Sequence, residues 1–488
     1  MIYHFIRTYF IWRKRLLDSE QDCFYEIQWK LLANIVSKNK STPYLRSYGI
    51  VDQSTFHEKC PAVTYDMLEK YIVDIKEKHI NILTKEKVVA FSKSSGTTSR
   101  SKWIPMTKSS LLANFKAGRY ILSLYLSAYP NSKIVGGKNF SLTGSYQEEN
   151  GYVVGDISSL FAYFLKPWFK PFRTPSLRVA TISDWYEKLM AMVPIISKED
   201  VRWIAGVPSW ISVVIEQLET YHDKPILDIW KNLEVYFYGG VDIRPYLRYF
   251  EGKLGRDIVF WQTYNASEGF FGLQATKESP DLFFLHNTSN YYEFIPKSDV
   301  ELENPTVLSS RELTVNEIYE LVITNLSGLY RYRMGDLIEI TAVSPIRYRI
   351  VGRTKNYINV FGEELMVSNT ENAIFILSKE MAFEIKNYTI APIVHDNTGN
   401  HHWMIEFAIS PSDIELFTHR LDEMIRSLNS DYDAKRYDNI ILKPLTVEIV
   451  PQGLFEKWLN VNHRLNVQSK IPKLSMDNRI QCELRKLV

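Results

Sequence analysis

The spacing of apolar and polar positions changes several times along the chain, and each change marks a different kind of element. Through the first 85 or so residues the spacing is helical: Phe24, Ile27, Leu31 and Ile35 fall three and four apart and predict one buried helix face. The run Val88-Val89-Ala90-Phe91 reads as a buried strand and opens directly into the polar stretch 94–102. From 110 to 280 helical stretches alternate with brief apolar runs, such as 233–237 and 258–261. That alternation predicts α/β layers around a mostly parallel sheet. Between 290 and 352 the segments become short and β-rich (319–324, 337–341, 347–351), which predicts a small sheet or barrel packed on the α/β part. After Gly352-Arg353 the order is strand, helix, strand, strand, helix, strand, with helices near 370–379 and 413–428 and strands at 388–394, 402–409 and 447–450. The expected fold class is α/β. A large N-terminal domain of α/β layers plus a small β-barrel spans 1–352, a hinge spans 353–357, and a mobile α+β C-terminal domain spans 358–488.

Composition narrows the function. The chain has 488 residues, 45% hydrophobic and 23% charged, the balance of a soluble globular protein with a core large enough to hold a deep cleft. Lys and Arg total 58 against 56 Asp and Glu, a net charge of +2, which leaves no electrostatic footprint for nucleic acid. The 30 Tyr and 11 Trp fit core packing and apolar pocket walls. Cys23, Cys60 and Cys482 are odd in number and far apart, so they offer neither a disulfide framework nor a CxxC zinc site, and they point to a reducing compartment. No apolar run approaches the ~20 residues that span a bilayer. The N-terminal aromatic and apolar positions are interrupted by His4, Arg7, Arg13, Lys14 and Arg15, which predicts a helix packed on its own domain instead of a secretory signal. A cytoplasmic enzyme, monomeric or weakly self-associating, is the expectation.

Six segments could carry chemistry. Ser94-Ser95-Gly96-Thr97-Thr98-Ser99-Arg100-Ser101-Lys102 follows a strand, and its hydroxyls, amides, glycine and terminal ammonium suit the phosphates of a nucleotide. It does not match GxxxxGK[ST]. At the end of a second strand, the pair Gly239 and Gly240 would let a flat ring lie against bare backbone. Tyr264-Asn265-Ala266-Ser267-Glu268-Gly269 sets a carboxylate beside a hydroxyl at a strand end, where it can hold Mg²⁺ against phosphate oxygens. In Tyr330-Arg331-Tyr332-Arg333-Met334-Gly335-Asp336, an aspartate after a glycine turn can accept two hydrogen bonds from a ribose diol. Gly352-Arg353-Thr354-Lys355-Asn356 stands at the composition break and suits a hinge. Gln468-Ser469-Lys470-Ile471-Pro472-Lys473 offers a loop lysine that could reach a cleft. Each segment alone also has a plain structural reading, as a solvated loop, a tight turn, a helix cap or a solubilising lysine.

Taken in order, the six resemble the adenylate-forming superfamily of acyl and aryl ligases and luciferases, and within it the auxin-responsive acyl-acid amido synthetases of plants and their bacterial relatives. The resemblance runs from the loop at 94 to the lysine at 470. It implies that Ser94, Ser95, Gly96, Thr97, Thr98 and Lys102 form the phosphate loop, and that Gly239 and Gly240 lie beside adenine. Tyr264 and Ser267 would contact adenine and the α-phosphate, and Glu268 would be the magnesium carboxylate. Asp336 would bind ribose, Arg353 would lie beside ribose and phosphate, and Lys470 would be a mobile catalytic lysine. Two positions depart from the family pattern: Ser99 replaces a second loop glycine, and Lys355-Asn356 replaces an acidic hinge pair. The implied reaction is adenylation of a carboxylic acid by ATP with Mg²⁺, then transfer of the acyl group to an amine, an amino acid in this branch. An acyl- or aryl-CoA ligase would share the first half of that reaction, and a non-catalytic nucleotide-binding scaffold would share the fold. Against the scaffold stands the joint presence of Lys102, Glu268, Asp336, Arg353 and Lys470.

Overall fold

In the computed structural model, residues 2–78, 80–93, 102–240, 243, 247–255, 257–354, 357–395, 398–462 and 471–488 are described. Among them, eleven strands form one main sheet. Its parallel part runs Arg173–Thr174, Lys138–Ser141, Val201–Gly206, Val235–Tyr238 and Val259–Ala266. The central strand Val235–Tyr238 is buried along its length because helices cover both faces. Val235 and Phe237 pack with the helix Lys108–Ala128, whereas Tyr236 and Tyr238 pack with the helices Trp185–Ile196 and Pro208–His222 on the opposite face. The period-2 alternation of a strand sorts its side chains between two cores in this way.

Beyond Val259–Ala266 the sheet turns antiparallel through Gly269–Gln274 and Leu282–Phe284. It continues through Ile346–Arg353, Tyr332–Val343, Ile318–Asn325 and Asn290–Pro296. The β-rich segments expected as a small sheet or barrel are thus hydrogen-bonded into the main sheet, joined by Leu282 pairing with Tyr348. A separate four-stranded sheet holds Trp103–Thr107, Val88–Lys93, Tyr152–Gly155 and Tyr146–Glu149.

The N-terminal region is helical, as its spacing predicts. The helix Ile2–Asp22 packs against Lys108–Ala128 and buries Leu17. The helix Phe24–Asn39 departs in detail from expectation. Its buried stripe is Phe24, Gln28, Leu32, Ile35, Val36 and Asn39, while Ile27 and Leu31 are only half-buried. The cause is Gln28, which is fully used inside: its Nε2 donates to the carbonyls of His286 and Asn290, and its Oε1 accepts from the amide of Tyr292. A polar side chain is tolerated in a core when every donor and acceptor is satisfied.

In the smaller C-terminal domain the hairpin Glu384–His395 with Thr398–Ile409 is extended in parallel by Thr446–Ile449. The helices Val367–Met381 and Ile414–Leu428 share one apolar cluster with Trp403 and Ile405, and the helix Leu454–Val461 packs on the other side with Met404. Among the described residues, no helix is long and apolar enough to cross a membrane, and all three cysteines are free.

Candidate active site

The carboxyl ends of the parallel strands open onto one cleft. Leu142 and Thr143 follow Lys138–Ser141, Val207 follows Val201–Gly206, Tyr238 and Gly240 stand at the end of Val235–Tyr238, and Tyr264 to Glu268 at the end of Val259–Ala266. Strand carboxyl ends are where open α/β sheets bind ligands. The cleft has a volume of about 2770 Å³ and its far wall belongs to the C-terminal domain, through Asn359, Glu364, Asn429, Asp431 and Lys435. That exceeds the ~300–1,000 Å³ of a single-ligand pocket and leaves room for a nucleotide and a second substrate.

Asp336 reaches the cleft because of a local distortion. Val322 pairs with Arg333 and Glu320 with Leu337, so three residues on one strand stand against one on the other. Gly335, at φ +76, supplies the left-handed conformation this bulge needs. Its amide donates to Glu320 Oε1, and Arg333 is held by Glu320 Oε2. Asp336 is then buried, accepts a short hydrogen bond from the Tyr264 hydroxyl, and pairs with Arg353 Nε at 2.6 Å. Burial, reinforced by the Asp336 charge, pushes the Tyr264 phenol well above its usual range, so it stays a donor.

Glu268 sits at the two-residue turn between Val259–Ala266 and Gly269–Gln274, and is buried. The Tyr332 phenol is hydrogen-bonded to it, and burial followed by the Glu268 charge pushes that phenol well up. Lys102 Nζ donates to the same phenol at 3.4 Å and lies over the Tyr65 ring. Ser267 Oγ donates to the carbonyl of Lys93. Residues more than two hundred positions apart therefore meet around one phenol.

The two glycines of the 239–240 pair do different jobs. Gly240, at φ +83, borders the cleft. A Cβ on Gly239 would fall 2.6 Å from the Thr263 carbonyl oxygen and 2.8 Å from its hydroxyl, so Gly239 permits close approach of the neighbouring strand. Of the predicted site residues, Lys102, Gly240, Tyr264, Ser267, Glu268, Asp336 and Arg353 all line the cleft. Ser94, Ser95, Gly96, Thr97, Thr98, the hinge residues Lys355 and Asn356, and Lys470 lie outside the described residues. The segment following Lys470 is tied to the C-terminal sheet, with Thr389 Oγ1 donating to the carbonyl of Pro472 and Ile390 N to that of Lys473.

Sequence reasoning missed Tyr332, although it lies inside the quoted segment 330–336. Alternation along its strand was the available signal, since Tyr332, Met334 and Asp336 are two apart. It also missed Lys188, Trp210 and Lys435, which no local motif marks. Arg331, in the same quoted segment, faces away. It forms a buried pair with Glu293 and donates to the carbonyls of His57 and Cys60.

Comparison with known proteins agrees with this architecture. Among solved structures, the GH3.15 acyl acid amido synthetase superposes with a TM-score of 0.61 at 18% identity, covering 97% of this chain and 95% of that one. A 2-hydroxyisobutyryl-CoA ligase with 2-HIB-AMP and CoA superposes with a TM-score of 0.57 at 13% identity, covering 96% and 92%. The fold is that of the adenylate-forming enzymes. Residues 13–229 match the GH3 family N-terminal domain, 283–353 its central domain and 368–479 its C-terminal domain. The chain belongs to the GH3 family. It is 25% identical to the indole-3-acetic acid-amido synthetase GH3.3 of Arabidopsis thaliana, with 89% of this chain and 86% of that protein covered. It is 24% identical to the jasmonoyl–L-amino acid synthetase JAR6 of Nicotiana attenuata, with 89% and 88% covered. It is thus a ligase of the amido synthetase class, whose reaction is adenylation followed by amide conjugation.

Proposed function

We propose that the cleft binds ATP with Mg²⁺, adenylates a small carboxylic acid, and conjugates the acyl group to an amino acid. The observation that carries the residue roles is the meeting of Lys102, Glu268, Tyr264, Asp336 and Arg353 in one cleft at the strand ends, with buried Tyr332 bonded to Lys102 and Glu268.

In the first half-reaction a carboxylate oxygen forms a bond to the α-phosphorus and the bond to pyrophosphate breaks. The chain's task is positioning and charge stabilisation. Asp336 accepts from the ribose hydroxyls, Arg353 and Lys102 offset phosphate charge, and Gly240 gives adenine a flat floor. Glu268 suits Mg²⁺, which takes one or two protein carboxylates and completes its shell with phosphate oxygens and water. When bound, that ion would supply positive charge against the triphosphate. Lys470 would approach the acyl and phosphate oxygens, and Ser94 to Thr98 would wrap the phosphates. In the second half-reaction the amine, having lost a proton, bonds to the acyl carbon and AMP leaves. Movement of the C-terminal domain about 353–357 would exchange Lys470 for an amine path. The same reading makes the protein a cytoplasmic enzyme, monomeric or weakly self-associating.

The test is acid-dependent exchange of labelled pyrophosphate into ATP over a panel of carboxylic acids, followed by mass spectrometry of products with an amino-acid mixture. Exchange with some acids and an acyl–amino acid product is expected. A panel without any acid-dependent exchange would overturn the reading.

A further inference from the structure

The three arginines bordering the cleft are matched by acids. Arg333 pairs with Glu320, Arg349 with Asp281 and Arg353 with Asp336. Lys188 differs. It is 4% exposed, it borders the cleft, and its hydrogen bond goes to a neutral group, the carbonyl of Thr143 at 3.0 Å. It forms no ion pair among the described residues. Asp156 is the acid near enough to favour its charge, but its Oδ1 accepts from the amides of Ser158 and Ser159 and from the Ser158 hydroxyl. Its Oδ2 lies so close to Gly144 that a Cβ there would overlap it. Asp156 is committed to capping the helix Ile157–Tyr163.

A second cation stands behind the same residue. Arg173 Nη2 donates to Thr143 Oγ1 and to the carbonyl of Ser141, again without a carboxylate partner among the described residues. Burial pushes Arg173 down to about 10 and also lowers Lys188. Lys188 further lies in the first turn of Trp185–Ile196, at the positive end of that helix. Two buried cations sharing one threonine are costly without an anion. An anion arriving in the cleft would complete them.

We propose that Lys188 binds the α-carboxylate of the amino-acid acceptor, in the part of the cleft walled by Thr143, Ser183, Trp185 and Trp210. This rests on the reaction proposed above. The acid's reacting carboxylate belongs at the Glu268 and Lys102 end. Every amino-acid acceptor carries a second carboxylate that the reaction does not consume. Thr143 follows a strand three places along the sheet from Val259–Ala266, which leads into Glu268, about 14 Å at ~4.8 Å per strand. That span accommodates the α-phosphate, the acyl carbon and the nitrogen and Cα of the amino acid between the two ends. The tryptophan rings, with centroids 4.4 Å apart, exclude water and strengthen the charge pair.

The experiment measures amide formation with the amino acid selected by the product screen and with its carboxamide. In the parent, the carboxamide should raise the acceptor KM about 10- to 100-fold, the range of one hydrogen bond to a charged group. Lys188→Met should raise the amino-acid KM by a similar factor while kcat moves far less, should erase the discrimination against the carboxamide, and should be rescued in part by Lys188→Arg. Equal KM values for acid and carboxamide in the parent would overturn the proposal, and need no variant. A loss of acid-dependent pyrophosphate exchange in Lys188→Met as large as its loss of amide formation would move the contact to a second carboxylate on the acid and overturn the acceptor assignment. A parent without any exchange would remove the underlying reaction instead.

Discussion

Asp336 and Arg353 face each other across one hairpin, and Arg353 Nε lies 2.6 Å from Asp336 Oδ1. Arg353 stands at the end of the strand Ile346–Arg353, so this pair ties the Asp336 end of the cleft to the chain segment entering the C-terminal domain. The Tyr264 hydroxyl occupies the other carboxylate oxygen. On the proposed reading a ribose diol would share an acid already oriented from two sides, which fixes its direction before ligand arrives.

Asp336→Asn should weaken ATP binding about 10- to 100-fold, the range expected for hydrogen bonds to a charged acceptor. It should also lower stability, because Tyr264 and Arg353 lose their charged partner. Calorimetric titration with ATP, paired with a urea melt, separates the two effects. Unchanged affinity would contradict the ribose assignment.

Gly239→Ala and Gly252→Ala should shift stability in opposite directions. At Gly239 the new methyl meets the Thr263 carbonyl at 2.6 Å, and forcing the two strands apart should cost about 1–3 kcal/mol. At Gly252, within the helix Leu247–Leu254, nothing lies within 4 Å of the added Cβ, so alanine should gain about 0.5–1 kcal/mol. Urea denaturation of both variants checks the pair. Similar destabilisation in each would mean the strand contact is not what requires glycine.

The contrast between those glycines shows where local sequence stops being informative. Strand ends and the glycine pair that follows one of them are legible in short-range apolar runs, and the family resemblance joins the motifs into one site, so seven of the cleft's residues could be named from the chain. That Gly239 packs while Gly240 lines the cleft depends on the distance to Thr263, twenty-four positions away. Gln28 rotates the buried face of its helix because its partners, His286, Asn290 and Tyr292, come from the far end of the same domain. Tyr332 acquires its role only when the folded sheet brings Lys102 and Glu268 to it. The continuity of the main sheet rests on the pairing of Leu282 with Tyr348, which no local pattern specifies.

Stability should depend on pH through Lys435. Desolvation holds this buried lysine at about 7, against the pull of Asp431, Glu363 and Glu364, with its ammonium 3.7 Å from the centre of the Trp210 ring. A folded-state value below the unfolded one means that between about 7 and about 10 the unfolded chain binds the extra proton. The Lys435 contribution to stability therefore rises with pH through that window, by at most about 1.4 kcal/mol per unit, and the full penalty is present below 7. Lys435→Met should gain most on the parent at pH 6 and lose that advantage towards pH 9. A difference between the two proteins that stays flat across urea melts at these pH values would refute the assignment.

Arg331→Leu should destabilise by about 3–5 kcal/mol, because it leaves the fully buried Glu293 without its guanidinium and with His57 as its remaining partner. Adding Glu293→Leu should recover much of that loss. Activity in the double variant, measured where it is folded, should approach that of the parent, because neither side chain borders the cleft. A double variant as unstable as the single would show that the loss comes from packing rather than from the orphaned charge.

Lys470→Ala should separate catalysis from binding. Its neighbours in sequence, Ile471 to Leu474, are anchored: Ile471 and Leu474 are buried, and Leu474 bridges to Ile390. On the proposed reading, movement of the C-terminal domain would decide when Lys470 meets the reacting oxygens. Removing a cation that acts on developing charge typically costs about 10²–10³ in rate. Binding of ATP should meanwhile change by less than about threefold if ground-state contacts come from Asp336, Arg353 and Lys102. Pyrophosphate exchange gives the rate and titration gives the affinity. Equal exchange rates in variant and parent would remove Lys470 from the mechanism, whereas matching losses of rate and affinity would make it a binding residue instead.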